Sequence, residues 1–216
     1  MSDAPQRFEC FATPIWRVPL DPRLDLASIE KAVRAEQQRD PNGTDVSNKG
    51  GWQSKMDLDE RDEFKMLVEY LRFHANQSCK DWGLDFRGHP AVLNSLWANV
   101  NGPKDYNQTH HHWGFPFPNF NVLSGAFYVR CNKDTGSIRF VDERPSTKFV
   151  TCYSLPALGP ASHLLGEYFT ATPKQGDLLL FPAWLDHKVT PNESDQERIS
   201  MSFNISIPKE IILGDK

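Results

Sequence analysis

The stretch that most narrows the choice of fold lies near the end of the chain. There Arg198, Ser200, Ser202 and Asn204 alternate with Ile199, Met201, Phe203 and Ile205. Successive side chains of a strand point to opposite faces, so a period of two demands a sheet with one apolar and one polar face. The 3.6-residue period of a helix would scatter both sets around its circumference. Such a strand needs partner strands beside it and a layer over its apolar face. Alternation alone does not say which face lines a pocket.

From Val92 onward the same texture recurs. Residues 93–100, 106–112, 121–130, 136–141, 166–171, 177–181 and 187–190 read as strands, with a hairpin-type turn at Lys133-Asp134-Thr135-Gly136. Short strands at roughly ten-residue spacing, punctuated by Gly and Pro, predict a sandwich or jelly roll. Residues 154–162 carry Pro156, Gly159 and Pro160 and read as a loop, with His163 solvated. Upstream, residues 8–20 read as an edge strand interrupted at Pro14. Asp25 is placed to cap a first helix carrying Ile29, Ala32 and Val33, which ends at Asp40-Pro41-Asn42-Gly43. The strongest helix spans residues 59–82, with Phe64, Leu67, Val68, Leu71 and Ala75 on one stripe, His74 within it and Gly83 closing it. Between the helices, residues 47–55 read as a polar surface loop, or as a flap that lays Trp52 or Gln53 over a pocket. The chain is expected to form one domain over residues 1–216. Residues 1–90 supply the N-terminal strand and supporting helices, and residues 91–208 the jelly-roll core.

Composition excludes several function classes. A net charge of -4 without a Lys/Arg cluster leaves no electrostatic footprint for nucleic acid. No apolar run reaches membrane-spanning length, and Met1 to Arg7 lacks the basic-then-apolar order of a signal peptide. The four cysteines, Cys10, Cys79, Cys131 and Cys152, are scattered and form no CxxC pair. That fits reduced thiols and a cytoplasmic location. Exposed edge strands of a jelly roll would allow a homodimer.

Chemistry concentrates at Thr109-His110-His111-His112-Trp113-Gly114, which holds three of the seven histidines. On an extended strand His110 and His112 share a face and His111 points away. A third imidazole from a distant strand, His187 after Leu178-Leu179-Leu180-Phe181-Pro182, would complete half an octahedral metal site and leave the rest open. Arg198 and Ser200, on one strand face, make a receptor for a carboxylate.

These residues resemble a known family. Gly51-Trp52-Gln53-Ser54, Trp97-Ala98-Asn99-Val100-Asn101, Tyr106-Asn107 with His110-His111-His112, and Leu123-Ser124-Gly125-Ala126-Phe127-Tyr128-Val129 come first. Gly176-Asp177-Leu178-Leu179-Leu180-Phe181-Pro182-Ala183-Trp184-Leu185 leading to His187 follows, and Arg198-Ile199-Ser200-Met201-Ser202-Phe203-Asn204 closes the series. Their order and spacing resemble the double-stranded β-helix (jelly-roll, cupin-like) oxygenases that use Fe(II) and 2-oxoglutarate, in the bacterial and phage branch related to prolyl hydroxylases. The resemblance implies a mainly β fold with supporting α-helices. It also implies Fe(II), with 2-oxoglutarate and O2 as cosubstrates, and hydroxylation of a small-molecule or peptide substrate with release of succinate and CO2. By the same resemblance His110, His112 and His187 are the metal ligands. Arg198, helped by Ser200, grips the distal carboxylate of 2-oxoglutarate, and Tyr128 or Asn99 completes that pocket. Trp52, Trp113, Phe115, Phe117 and Trp184 would wall the substrate mouth.

One departure matters. The family pattern places a carboxylate two residues after the first histidine, where this chain has His112. A neutral three-His face is the simplest outcome; Asp186 or Asp105 supplying the carboxylate, or His111 replacing a neighbour as ligand, are the others. Two different readings compete: a three-His cupin-type dioxygenase that needs no 2-oxoglutarate, and a jelly-roll binding module with a structural metal or none.

Overall fold

The computed structural model describes residues 10–113, 120–144 and 167–213. Two antiparallel sheets face each other. The major sheet contains β1 (Trp16–Val18), β3 (Trp52–Gln53), β4 (Val92–Asn101), β6 (Asn121–Arg130), β9 (Leu178–Pro182) and β11 (Arg198–Ser206), in the order β1-β9-β6-β11-β4-β3. The minor sheet contains β2 (Asn48–Lys49), β5 (Tyr106–His110), β7 (Ile138–Val141), β8 (Tyr168–Ala171) and β10 (His187–Val189), in the order β2-β5-β10-β7-β8. This is the double-stranded β-helix that the sequence led us to expect.

The alternation of β11 resolves into two cores. Ile199, Met201, Phe203 and Ile205 are fully buried on the outer side of the major sheet. There they pack with Phe127 and with α1 (Leu26–Arg39) and α2 (Lys65–Asp81). Tyr70 of α2 meets Phe127 of β6 edge-on, with ring centroids 5.9 Å apart. A second, smaller core of Ala126, Tyr128, Ile138, Phe140, Leu179, Phe181 and Leu185 fills the space between the sheets. The polar set of β11 therefore faces inward, toward the minor sheet.

Helix α1 begins where its cap predicts: the Asp25 carboxylate accepts hydrogen bonds from the amides of Ala27 and Ser28. The second helix differs from expectation at its start. Two 3₁₀ turns, Leu58–Glu60 and Asp62–Phe64, precede α2. Leu58 and Phe64 are both buried, yet six residues apart they would lie about 120° from each other on an α-helix. Two tighter turns let both point inward. Gly83 closes α2 in the left-handed region at φ 85°.

Residues 47–55 form neither a plain loop nor a flap. They supply β2 and β3, and Trp52 is only 7 % exposed, with its indole N–H donating to the Asp40 carbonyl. Two further strands are shorter than predicted: β5 stops at His110 and only Trp16–Val18 pairs within residues 8–20. Residues 154–162, His163, Cys152, Phe115 and Phe117 lie outside the described residues. Among the described residues no helix is long and apolar enough to cross a membrane.

Candidate metal centre

Strand pairing brings the histidines together. β10 runs antiparallel to β5 with His187 opposite His110, and to β7 with His187 opposite Phe140. His112 lies two residues beyond β5, where its amide donates to the Ala183 carbonyl and turns its ring back beneath Trp97. The ring centroids are 4.4 Å apart for His110 and His187, 5.1 Å for His110 and His112, and 5.1 Å for His112 and His187. One ligand atom from each ring lies within 4.8 Å of the other two, so small ring rotations bring all three onto one ion.

The face that each ring presents is also set. Nδ1 of His110 lies 2.7 Å from the Gln108 carbonyl, Nδ1 of His187 lies 2.9 Å from the Leu185 carbonyl, and Nδ1 of His112 lies 2.7 Å from the Asn204 side-chain oxygen. A carbonyl only accepts, so Nδ1 of His110 and of His187 carries the proton and Nε2 keeps its lone pair for a metal. Burial keeps these rings neutral. It lowers the pKa of His110, pushes His112 down to about 4 with help from His110, and takes His187 well below the ordinary range. The donor set is three neutral imidazoles, which suit iron, copper, nickel and zinc alike.

His111 points outward and pairs with Asp186 at 2.9 Å. Asp105 is occupied elsewhere, accepting the Gly102 amide. Among the described residues the cluster contains no carboxylate.

The three histidines line a cavity of about 380 Å³ that Arg198, Ser200, Tyr128 and Asn99 also line. Register explains that grouping: Ser200 of β11 sits between Asn99 of β4 and Tyr128 of β6. Arg198 is 1 % exposed and donates to the Thr135 carbonyl at 2.7 Å and to the Asn101 side-chain oxygen at 3.0 Å. Both partners are neutral, which leaves its charge for an anion; burial lowers its pKa from the ordinary guanidinium range. The turn between β6 and β7 is shaped around it. Gly136 has φ 97°, and a Cβ there would fall 2.5 Å from an Arg198 guanidinium nitrogen. Burial raises the Tyr128 hydroxyl well above its ordinary pKa, so it stays protonated and able to donate. Asn99 donates to the Ser202 hydroxyl at 3.2 Å, while its own oxygen is buried without a partner.

Of the aromatic residues expected at the mouth, the three that are described, Trp52, Trp113 and Trp184, do not line the cavity. Trp52 belongs to the helix-side core, and Trp113 and Trp184 are 62 % and 49 % exposed. Trp97 and Gln53 line the cavity instead. Asn204, beneath His112, was not singled out by sequence reasoning; its one signal is its place in the inward-facing set of β11.

Comparison with known proteins agrees with this geometry. A family model described as 2OG-Fe(II) oxygenase matches residues 95–204, just over half of the 216-residue chain. No curated protein matches. The 2-oxoglutarate-dependent carbocyclase SnoK of nogalamycin biosynthesis superposes with a TM-score of 0.63 at 13% identity, over 90% of this chain and 79% of that one. A Pseudomonas putida prolyl-4-hydroxylase superposes with a TM-score of 0.56 at 15% identity, over 91% and 94%. HygX from Streptomyces hygroscopicus, solved with nickel and 2-oxoglutarate bound, gives a TM-score of 0.57 at 14% identity, over 90% and 83%. With the family model covering just over half of the chain, including all three cavity histidines and the buried arginine, the chain belongs to the 2OG-Fe(II) oxygenase family, whose cofactors are Fe(II) and 2-oxoglutarate.

Proposed function

We propose that this oxygenase hydroxylates its substrate at an iron held by His110, His112 and His187. The observation that carries the reading is the shared cavity: it is lined both by three imidazoles whose Nδ1 atoms are engaged and by a buried arginine that donates to two neutral oxygens. Arg198 would anchor the distal carboxylate of 2-oxoglutarate, with the hydroxyls of Ser200 and Tyr128 beside it and Asn99 on the adjoining strand. Bound there, iron and 2-oxoglutarate would supply oxidative chemistry, in which one oxygen atom of O2 would turn a substrate C–H into C–OH and the other would leave in succinate, with release of CO2. The protein's own residues hold and orient. Arg198 fixes the cosubstrate by charge, and the neutral imidazoles leave the ion's positive charge to be balanced by the cosubstrate rather than by a protein carboxylate. Val46, Met56, Trp97 and Gln108, which also line the cavity, would meet a small-molecule or peptide substrate. The whole chain would act as one catalytic domain in the cytoplasm, and exposed edges such as β8 would permit a homodimer.

Anaerobic titration of the Fe(II)-loaded protein with 2-oxoglutarate tests this. A weak visible charge-transfer band is expected in the wild type and is lost in His112→Ala and Arg198→Ala. An iron-loaded wild type that shows no band, or a band that survives both substitutions, would refute the residue assignment.

A further inference from the structure

His112 stands where the family pattern has a carboxylate, and the fold around it is arranged to hold a histidine. We infer that Asn204, oriented by Ser95, Asn94 and Asn121, is a positioning residue that fixes the His112 ring and its tautomer. The inference rests on the reading of His112 as a metal ligand.

One group in this network has no choice of direction. The His112 backbone carbonyl can only accept, and the Asn121 amide nitrogen donates to it at 3.0 Å. That places the Asn121 oxygen toward Asn94 and Ser206. The Asn94 group facing it at 2.9 Å must then be its amide nitrogen, which also reaches the Ser206 hydroxyl. The Asn94 oxygen is left toward Ser95, whose hydroxyl donates to it at 3.3 Å. With its one proton so used, Ser95 must accept from Asn204, whose amide nitrogen lies 3.1 Å away. The Asn204 oxygen therefore points at His112 Nδ1, 2.7 Å away, and also accepts from the buried Ser124 hydroxyl at 2.8 Å. Nδ1 must carry the proton, and Nε2 keeps the lone pair.

Every hydrogen bond in this closed circuit runs in one direction, from the His112 ring round to its own carbonyl. Amide orientations are usually ambiguous one at a time; here each is forced by the next. The circuit clamps ring and main chain together at a residue that lies beyond the end of β5. His110 and His187 are held by backbone carbonyls within two residues of themselves. His112 alone relies on side chains of other strands, from β4, β6 and β11. A carboxylate at this position would face the Asn204 oxygen, an acceptor with no proton to offer it.

The test uses the full chain labelled with 15N-histidine. Long-range proton–nitrogen correlation spectra of the metal-free protein report the tautomer, and calorimetry with Co(II) reports affinity. In the wild type the His112 proton is expected on Nδ1. Asn204→Leu keeps the volume but removes the acceptor. It should release the tautomer and weaken Co(II) roughly 10–100-fold, the range for losing an outer partner of a metal-bound histidine. Asn204→Asp keeps the acceptor and should keep the tautomer with affinity at or above wild type. Ser95→Ala, which unlocks the amide without touching His112, should shift both readouts in the same direction by a smaller amount, and it serves if the leucine variant does not fold. Wild-type tautomer and affinity in the leucine variant would overturn the inference, as would an aspartate variant that fails as badly as leucine. His112→Ala separates the two levels: unchanged Co(II) binding there refutes His112 as a ligand, whereas lost binding there with full binding in Asn204→Leu refutes the positioning role alone.

Discussion

The major sheet has at its centre three strands of nine or ten residues, β4, β6 and β11, paired along most of their lengths and covered on their outer side by both long helices. The minor sheet is built of strands of two to five residues, and both long helices pack on its partner's outer face. Two of the three histidines belong to the minor sheet, at the ends of β5 and β10; Arg198 and the circuit that holds His112 belong to the major one. The contrast separates two tasks. Long, doubly covered strands fix polar groups rigidly, while short strands end early and leave an open coordination face beside an accessible cavity.

If that division is real, the largest loss of stability should come from the helix side of the major sheet. Phe127 is fully buried between β6 and Tyr70 of α2. Phe127→Ala should cost about 3–5 kcal/mol, the usual range for deleting a buried aromatic ring, read as a shift of the urea midpoint. A loss below about 1 kcal/mol would mean that the helices are not part of the folding unit.

The metal-free cavity should show itself through pH. His112 has an ordinary pKa of 6.5 and is pushed down to about 4 in the fold, and His110 and His187 move the same way, each mainly through burial. A base whose folded pKa is lowered binds fewer protons folded than unfolded, so stability is full above the ordinary value and is lost as pH falls through the window toward 4. His112 alone should contribute a loss of about 3 kcal/mol across that window. Urea midpoints of wild type and His112→Gln at pH 7.5 and 4.5 check this; carboxylates titrate in both proteins, so the difference between the two profiles is the readout. Equal profiles would count against a buried neutral ring.

His110→Ala acts on the minor sheet and should do the reverse of Phe127→Ala. Metal affinity should fall roughly 100-fold or more, beyond what an outer partner costs, while the urea midpoint of the metal-free protein stays near wild type. Calorimetry with Co(II) and urea unfolding read the two effects separately. A midpoint that falls as far as that of Phe127→Ala would erase the contrast between the sheets.

The sequence reveals these two sheets unequally. Period-two alternation made the major strands legible, and β11 was read almost residue for residue. The histidines and Arg198 were visible because their chemistry is rare at that spacing. The circuit was not: Asn94, Asn121 and Asn204 are ordinary polar residues whose partners lie up to 112 residues away, and only strand register brings them together. Trp52 misled for a related reason. The polar stretch around Gly50 and Gly51 reads as a surface loop or a flap, whereas their positive φ values make the turn that drops the indole into the core. The 3₁₀ turns before α2 leave no mark in the sequence, and only the joint burial of Leu58 and Phe64 shows that the chain there is wound more tightly than an α-helix.

The smallest expected effect sharpens the picture of the major sheet itself. Gly125 of β6 lies opposite Phe203 of β11 and Leu180 of β9. A Cβ there would fall 2.4 and 2.6 Å from Phe203 ring atoms and 2.9 Å from the Leu179 carbonyl oxygen. The carbonyl is held in the ladder and the ring is fully buried, so neither gives way easily. Gly125→Ala should therefore destabilise by about 1–3 kcal/mol, the usual cost of overpacking, with Co(II) affinity unchanged because the added methyl points to the helix side. Phe203→Leu removes the ring atoms that the methyl would strike. In the double variant the two losses should add to less than their sum, with a coupling of at least about 0.5 kcal/mol. Simple additivity would place the strain at the Leu179 carbonyl instead, within the strand ladder rather than between sheet and helices.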